Sequence, residues 1–269
     1  MILLPADYHI HTLFSGDSSA SIDDIVNQAV SCGLHSICIT DHLDFDYVDN
    51  GVKYELDDDE YYNTILKYKE KYHDRLDIRI GVETGLEPDK HKRLDDFINR
   101  HEYDFVIGSS HLVNGIDPYY PEYFNGKSDY EAFNEYFLSI TDNLKYCHNF
   151  NVYGHIDYVV RYSPNKDKNY NFMTYIDIID EILKNLIAGN KGIEVNTSGL
   201  REGLKNPNPS YDIIKRYREL GGTILTFGSD AHYPEHIAYA FKDVKEIIQE
   251  CGFKYYTEFK NRTPEFIKL

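Results

Sequence analysis

Short apolar runs alternate with longer amphipathic runs along the whole chain. The apolar runs are LLPADYHIH (3–11), HSICITDH (35–42), DIRIGVETG (77–85), DFVIGSSHLV (104–113), NVYGHIDYV (151–159), KGIEVNTSG (191–199) and TILTFGSDAH (223–232), each read as a strand. Between them, helical patterning covers 22–33, 61–73, 91–101, about 130–148, about 173–188, 210–220 and 236–250. Local signals agree with these boundaries. Ser21 with Asp24 resembles a capping box in which Asp stands for Glu, and Gly33 stops the first helix. The acidic run 57–60 places negative charge at the start of the second helix, where the helix dipole favours it. Gly221-Gly222 ends the helix over 210–220, and the tail 252–269 has room for one more strand.

The pattern amounts to seven βα units without a Pro/Gly/Ser-rich linker, so residues 1–269 are read as one α/β domain. Seven units over this length suit a closed or nearly closed β/α barrel better than an open doubly wound sheet. No GxGxxG or GxxxxGK[ST] follows a strand, which weakens a Rossmann or P-loop reading. Barrel enzymes build their sites at the C-terminal ends of the strands.

Composition narrows the partners. A net charge of −17 argues against nucleic acid and against an anionic membrane, both of which need a basic face. A phosphorylated substrate would need strong local positive charge, which divalent metals supply. Cys32, Cys38, Cys147 and Cys251 are scattered without a CxxC and read as reduced thiols of a cytoplasmic protein. The opening MILLPADYH lacks a basic n-region and is not read as a signal peptide. No apolar run approaches the ~20 residues of a membrane span.

The chemistry lies at the strand ends. Six of the 12 histidines fall just past the apolar runs. His9 and His11 are two apart on the first strand and so share a face. Asp17 follows in a Ser/Gly-rich turn. His42, Glu83, His111 and His155 end the next four strands, and Asp230 and His232 end the last. Taken singly, each has an ordinary reading. His42 suits a core histidine bonded to Asp41, Asp17 an Asx-turn residue, and Glu83 a turn-bound strand end. Together, six imidazoles and three carboxylates at successive strand ends read as metal ligands. Mixed N/O donors suit Zn, Mn or Fe(II). Nine ligands are too many for one ion and enough for three if a carboxylate bridges. His35, His73, His91, His101, His148 and His236 read as surface or capping residues.

The segments DYHIHTLFSGD, TDH, GVETG, SSHL, GHID and GSDAH resemble the polymerase-and-histidinol-phosphatase (PHP) superfamily in motif order over residues 7–232. SSHLV, GHIDYVVRY and GIEVNTSGLR resemble its histidinol-phosphatase branch. The resemblance implies a distorted (β/α)₇ barrel with three divalent transition metal ions. It assigns His9, His11, Glu83 and Asp230 to the first ion. Glu83 would bridge to a second, held also by His111 and His155, and Asp17, His42 and His232 would hold the third. Many superfamily members have histidine where this chain has Asp17.

The implied activity is hydrolysis of L-histidinol phosphate, a small phosphomonoester, in histidine biosynthesis, with attack by a hydroxide shared between metals. Asp230 or His232 would protonate the leaving alkoxide. Arg161 and Arg201 are expected in rim loops, where arginine's planar fork fits phosphate. Rim carboxylates such as Asp117, Glu122 and Glu202 would complement the substrate amine. The alternatives are a related phosphoesterase acting on phosphodiesters or nucleotides, and a non-catalytic polymerase module. Acidity counts against the first, and retention of all nine ligands against the second.

Overall fold

The computed structural model describes residues 5–269. The first strands are β1 (Ser36–Ile39), β2 (His42–Leu43), β3 (Val48–Asp49), β4 (Val52–Lys53), β5 (Asp77–Gly85) and β6 (Phe105–Ser109). They are followed by β7 (Val152–Tyr153), β8 (Gly192–Asn196), β9 (Leu225–Gly228), β10 (Tyr255–Lys260) and β11 (Thr263–Lys268). The helices are α1 (Ile22–Cys32), α2 (Asp58–Tyr72), α3 (His91–Ile98), α4 (Asp129–Asn143) and α5 (Tyr158–Tyr162), then α6 (Ile176–Ala188), α7 (Ser198–Arg201), α8 (Tyr211–Glu219) and α9 (Phe241–Glu250).

The central sheet is parallel in the order β1-β5-β6-β7-β8-β9, and β2 also pairs with β5. The first expected strand closes the ring without forming a regular ladder, and Leu3 and Leu4 of that run lie outside the described residues. Tyr8 N donates to Phe227 O at 2.8 Å and His11 N to Ala231 O at 2.9 Å on the β9 side. Cys38 N donates to Asp7 O and Thr40 N to Ile10 O, both at 2.8 Å, on the β1 side. Seven strand positions therefore curl into a distorted (β/α)₇ barrel.

Helices cover the outside of the sheet. On α6 the buried Ile179, Ile182, Leu183 and Leu186 recur at i, i+3, i+4 and i+7. Burying each is worth about 1.5–3 kcal/mol. Ser21 caps α1 by accepting from Asp24 N, and Gly33 ends that helix in the left-handed region at φ 79°.

Several boundaries differ from the expectation. The tail forms an antiparallel hairpin, β10–β11, where one strand was expected. Phe259 N donates to Tyr8 Oη, whose hydroxyl donates to Phe259 O, and Asn261 N donates to Asp104, so the hairpin packs under the N-terminal ends of the strands. The opposite end is left to the site. The fifth strand run stops at Tyr153, turns with Tyr158 N donating to His155 O, and enters helix α5 at Tyr158. The sixth also turns helical, at Ser198. Apolar periodicity cannot separate a short buried helix from a strand. Arg161 and Arg201 therefore sit on α5 and α7, not in loops. Helix α4 ends at Asn143 and α9 starts at Phe241, after Ala238 and Ala240 adopt positive φ. The hairpin β3–β4 was not anticipated.

Candidate metal centre

The barrel geometry brings all nine sequence-predicted ligands to one end. Glu83, near the end of β5, is in register with His42 on β2 and is fully buried. Its two oxygens face different histidines. Oε2 lies 3.0 Å from His9 Nε2, 3.6 Å from His11 Nε2 and 3.1 Å from His42 Nδ1. Oε1 lies 3.2 Å from His111 Nε2 and 3.0 Å from His155 Nε2. Asp230 Oδ1 lies 3.4 Å from His11 Nε2 and 3.7 Å from His9 Nε2. Asp17 Oδ2 lies 3.2 Å from His232 Nε2 and 3.6 Å from His42 Nε2.

Among the described residues three compact donor groups emerge: His9/His11/Glu83, His42/Glu83/His111 and His11/His42/His232. They share His11, His42 and Glu83, so the donors form one continuous cluster. A direct observation tests whether this cluster suits cations. His9 Nε2, His11 Nε2, His42 Nδ1 and Glu83 Oε2 are buried without any hydrogen-bond partner. Each such orphan costs about 1–3 kcal/mol when nothing binds it. Converging lone pairs of this kind fit metal ions. His155 (φ 21°) and Asp230 (φ 53°) both hold positive φ, as residues at functional sites often do.

Electrostatics follow from the crowding. Burial pushes Glu83 upward, but the charges of His9, His111 and His42 outweigh it and hold the carboxyl well below its usual range. Asp230 is likewise held low against burial, by His9, His11 and Arg161. Burial, with His232 and His42 alongside, pushes His11 well below the ordinary imidazole range. Asp157, which accepts from Asn208 and from Ser210 N, is raised by burial to about 6.

The cluster floors a cavity of ≈ 380 Å³, a size suited to a small ligand. Arg161 and Arg201 line it, as do Asp117, Glu202, Tyr158, Tyr162 and Tyr233. Glu122 does not line it and is exposed. His236, expected at the surface, is half-buried and lines the wall.

Arg161 is buried, donating to Asp230 Oδ2 at 3.0 Å, Asn208 Oδ1 at 3.1 Å and Asn196 Oδ1 at 3.3 Å. Arg201 donates to the carbonyls of Ser229 and Asp230 at 2.8 and 3.0 Å. A guanidinium has five N–H donors, so both retain donors for a ligand.

Sequence reasoning missed the carboxylates behind the histidines. Asp44 Oδ1 lies 2.8 Å from His111 Nδ1, and Glu194 Oε1 lies 2.5 Å from His9 Nδ1. The available signal was an acidic residue inside an apolar strand in GIEVN, matching Glu83 in GVETG.

Among the described residues no helix is long and apolar enough to cross a membrane. A histidinol-phosphatase from Lactococcus lactis is 33% identical over 92% of this chain and 91% of its own length. A protein of Clostridium acetobutylicum named "probable histidinol-phosphatase" is 34% identical over 92% of this chain and 94% of its own. The crystal structure of the L. lactis histidinol phosphate phosphatase, complexed with zinc, L-histidinol and phosphate, superposes with a TM-score of 0.88 at 30% identity, covering 98% of this chain and 99% of that one. The PHP domain family model matches residues 7–198, and the chain belongs to that family.

Proposed function

We infer that this protein is a histidinol-phosphatase, a phosphoric monoester hydrolase that converts L-histidinol phosphate to L-histidinol and phosphate. The observation that carries the reading is the division of Glu83 between two sets of histidines, with buried ring nitrogens left open toward it. Relatives named for this activity, aligned over nine-tenths of the chain, support it.

Zinc is the cation we assign, as in the L. lactis enzyme, and Mn or Fe would suit the same donors. His9, His11, Glu83 and Asp230 would hold one ion. Glu83 Oε1, His111 and His155 would hold a second, and Asp17, His42 and His232 a third. Bound divalent cations supply Lewis-acid polarisation of phosphoryl oxygens and a water of lowered pKa.

The protein's own groups do the rest. Arg161 and Arg201 offer their remaining N–H donors to the phosphate. Asp230 Oδ2 is engaged by Arg161 and Ser198, which keeps the carboxylate ionised. Its Oδ1 faces His9 and His11 Nε2 at 3.7 and 3.4 Å and would be the oxygen that holds the ion. His232 Nδ1 donates to Asp230 O at 3.1 Å, which turns Nε2 toward Asp17, where it would bind an ion or, protonated, serve the leaving alkoxide. Rim carboxylates meet the substrate amine.

The whole chain acts as one domain, since the C-terminal hairpin is hydrogen-bonded to Tyr8. Its four unpaired cysteines suit a reducing cytoplasm, and its product suits histidine biosynthesis. Phosphate release from zinc-loaded protein tests the assignment. L-Histidinol phosphate should be the best substrate, and excess chelator should abolish turnover. Higher activity on a phosphodiester, or full activity in chelator, would overturn it.

A further inference from the structure

We propose that Glu194 is a positioning residue that sets the tautomer of His9 and fixes the backbone of His155; this rests on reading the cluster as a metal centre. Glu194 is the third residue of β8 and is 1% exposed. It reaches no cation site itself, because both its oxygens are occupied by neighbours. Oε1 accepts from His9 Nδ1 at 2.5 Å. Oε2 accepts from His155 N at 3.1 Å and from Asn196 Nδ2 at 3.3 Å.

Every partner around Glu194 donates, so only a carboxylate satisfies them all. In the neutral ring that a cation requires, a proton on His9 Nδ1 leaves Nε2 with a lone pair. That lone pair faces Glu83 and Asp230 and has no hydrogen-bond partner. Histidine ligands commonly need such a partner on the second nitrogen to fix ring and tautomer. The other oxygen holds the amide of His155, whose φ of 21° brings its Nε2 within 3.0 Å of Glu83 Oε1. One buried side chain thus orients ligands on both sides of Glu83.

The surroundings are shaped for it. A Cβ at Gly228 would overlap Glu194 Oε1 and His9 Cβ. On the β9 side the chain therefore has no side chain where the carboxylate sits.

Glutamine at this position has nearly the same shape but one donor end. It must either direct its NH₂ at the His155 amide or at His9 Nδ1. The second choice moves the His9 proton to Nε2 and blocks that donor. Chelator-stripped wild type and Glu194→Gln are titrated with zinc alone against a chromophoric competitor. We expect one zinc site of the variant to weaken ten- to hundredfold, with unchanged far-UV circular dichroism. Equal zinc affinity in the two proteins overturns the role of Glu194. Failure of the wild type to take up zinc overturns the metal-centre reading itself. Should the variant not fold, zinc-loaded wild type decides by ¹⁵N–¹H NMR. We expect a deshielded, slowly exchanging proton on His9 Nδ1, and its absence overturns the proposal.

Discussion

Arg161 Nη1 lies 3.0 Å from Asp230 Oδ2, and both side chains are buried. The pair couples a proposed phosphate-binding arginine to a proposed metal ligand across 69 residues of sequence. Removing one member of a buried pair leaves the other charge uncompensated, at a cost of about 3–5 kcal/mol. Arg161→Ala should therefore lose stability on that order and also bind zinc less well. Arg201 instead holds two backbone carbonyls. Arg201→Ala should keep its zinc and lose roughly 1.5–3 kcal/mol of transition-state binding, about one to two decades in kcat/KM. Urea unfolding, metal analysis and steady-state kinetics on both variants check the contrast. Full zinc content and stability in Arg161→Ala would show that the pair is dispensable.

Glu83 and Asp17 differ in how many donors depend on them. Both Glu83 oxygens face ring nitrogens, five in all, whereas Asp17 Oδ2 faces two. Glu83→Gln should consequently reduce zinc content and kcat more than Asp17→Asn. The reverse order would remove Glu83 from the bridging position.

Away from the site, Asp180 on α6 accepts a two-pronged contact from Arg216 on α8, Nε to Oδ1 and Nη2 to Oδ2, both at 2.7 Å. Hydrogen bonds from Arg216, with a further one from Lys184, outweigh the opposing effect of burial and hold the carboxyl at about 2, below its ordinary 3.8. A carboxyl depressed in the folded state stabilises above its unfolded value, and that contribution fades as pH falls from about 4 through about 2. The shift corresponds to roughly 2 kcal/mol, and solvent screening at the 32%-exposed Arg216 side chain reduces the expectation to about 1 kcal/mol. Asp180→Asn should be less stable than wild type by that amount at pH 7, with the gap closing toward pH 2. A gap that stays constant with pH would mean the ion pair is not its source.

The meeting of the nine proposed ligands was legible because all but Asp17 close an apolar run, and a parallel barrel gathers strand ends at one rim. His9, Glu83 and His155 meet for that topological reason although they are far apart in sequence. Their supports were less legible. Glu194 lies inside a buried strand, as Glu83 does, and spacing alone cannot tell which carboxylate faces the cluster and which backs a histidine. Asp44 follows His42 by two residues, but its partner is His111, set by packing between strands. Helix α5 was hidden in a run whose apolar residues serve a strand or a buried helix equally well, which is why Arg161 was expected in a loop.

Substrate choice should depend on the rim. Of the three carboxylates anticipated there, Glu122 does not line the cavity, Glu202 lines it but is exposed, and Asp117 lines it half-buried. Asp117 Oδ1 accepts from Tyr119 N at 2.8 Å and from Tyr158 Oη at 3.1 Å, which fixes the carboxylate on the cavity wall. Burial pushes this carboxyl above its ordinary value, opposed by those hydrogen bonds, so a cationic partner would be favoured beside it. A primary amine on the ligand supplies that partner, whereas a simple alkyl phosphate does not. Asp117→Asn should therefore cost roughly 1.5–3 kcal/mol with L-histidinol phosphate, about ten- to a hundredfold in kcat/KM. Turnover of an alkyl phosphate lacking the amine should change little, because the metals and arginines are untouched. Kinetics of both substrates with both proteins measure the difference directly. Equal losses on the two substrates would mean that Asp117 supports the cavity wall and that the amine is read elsewhere.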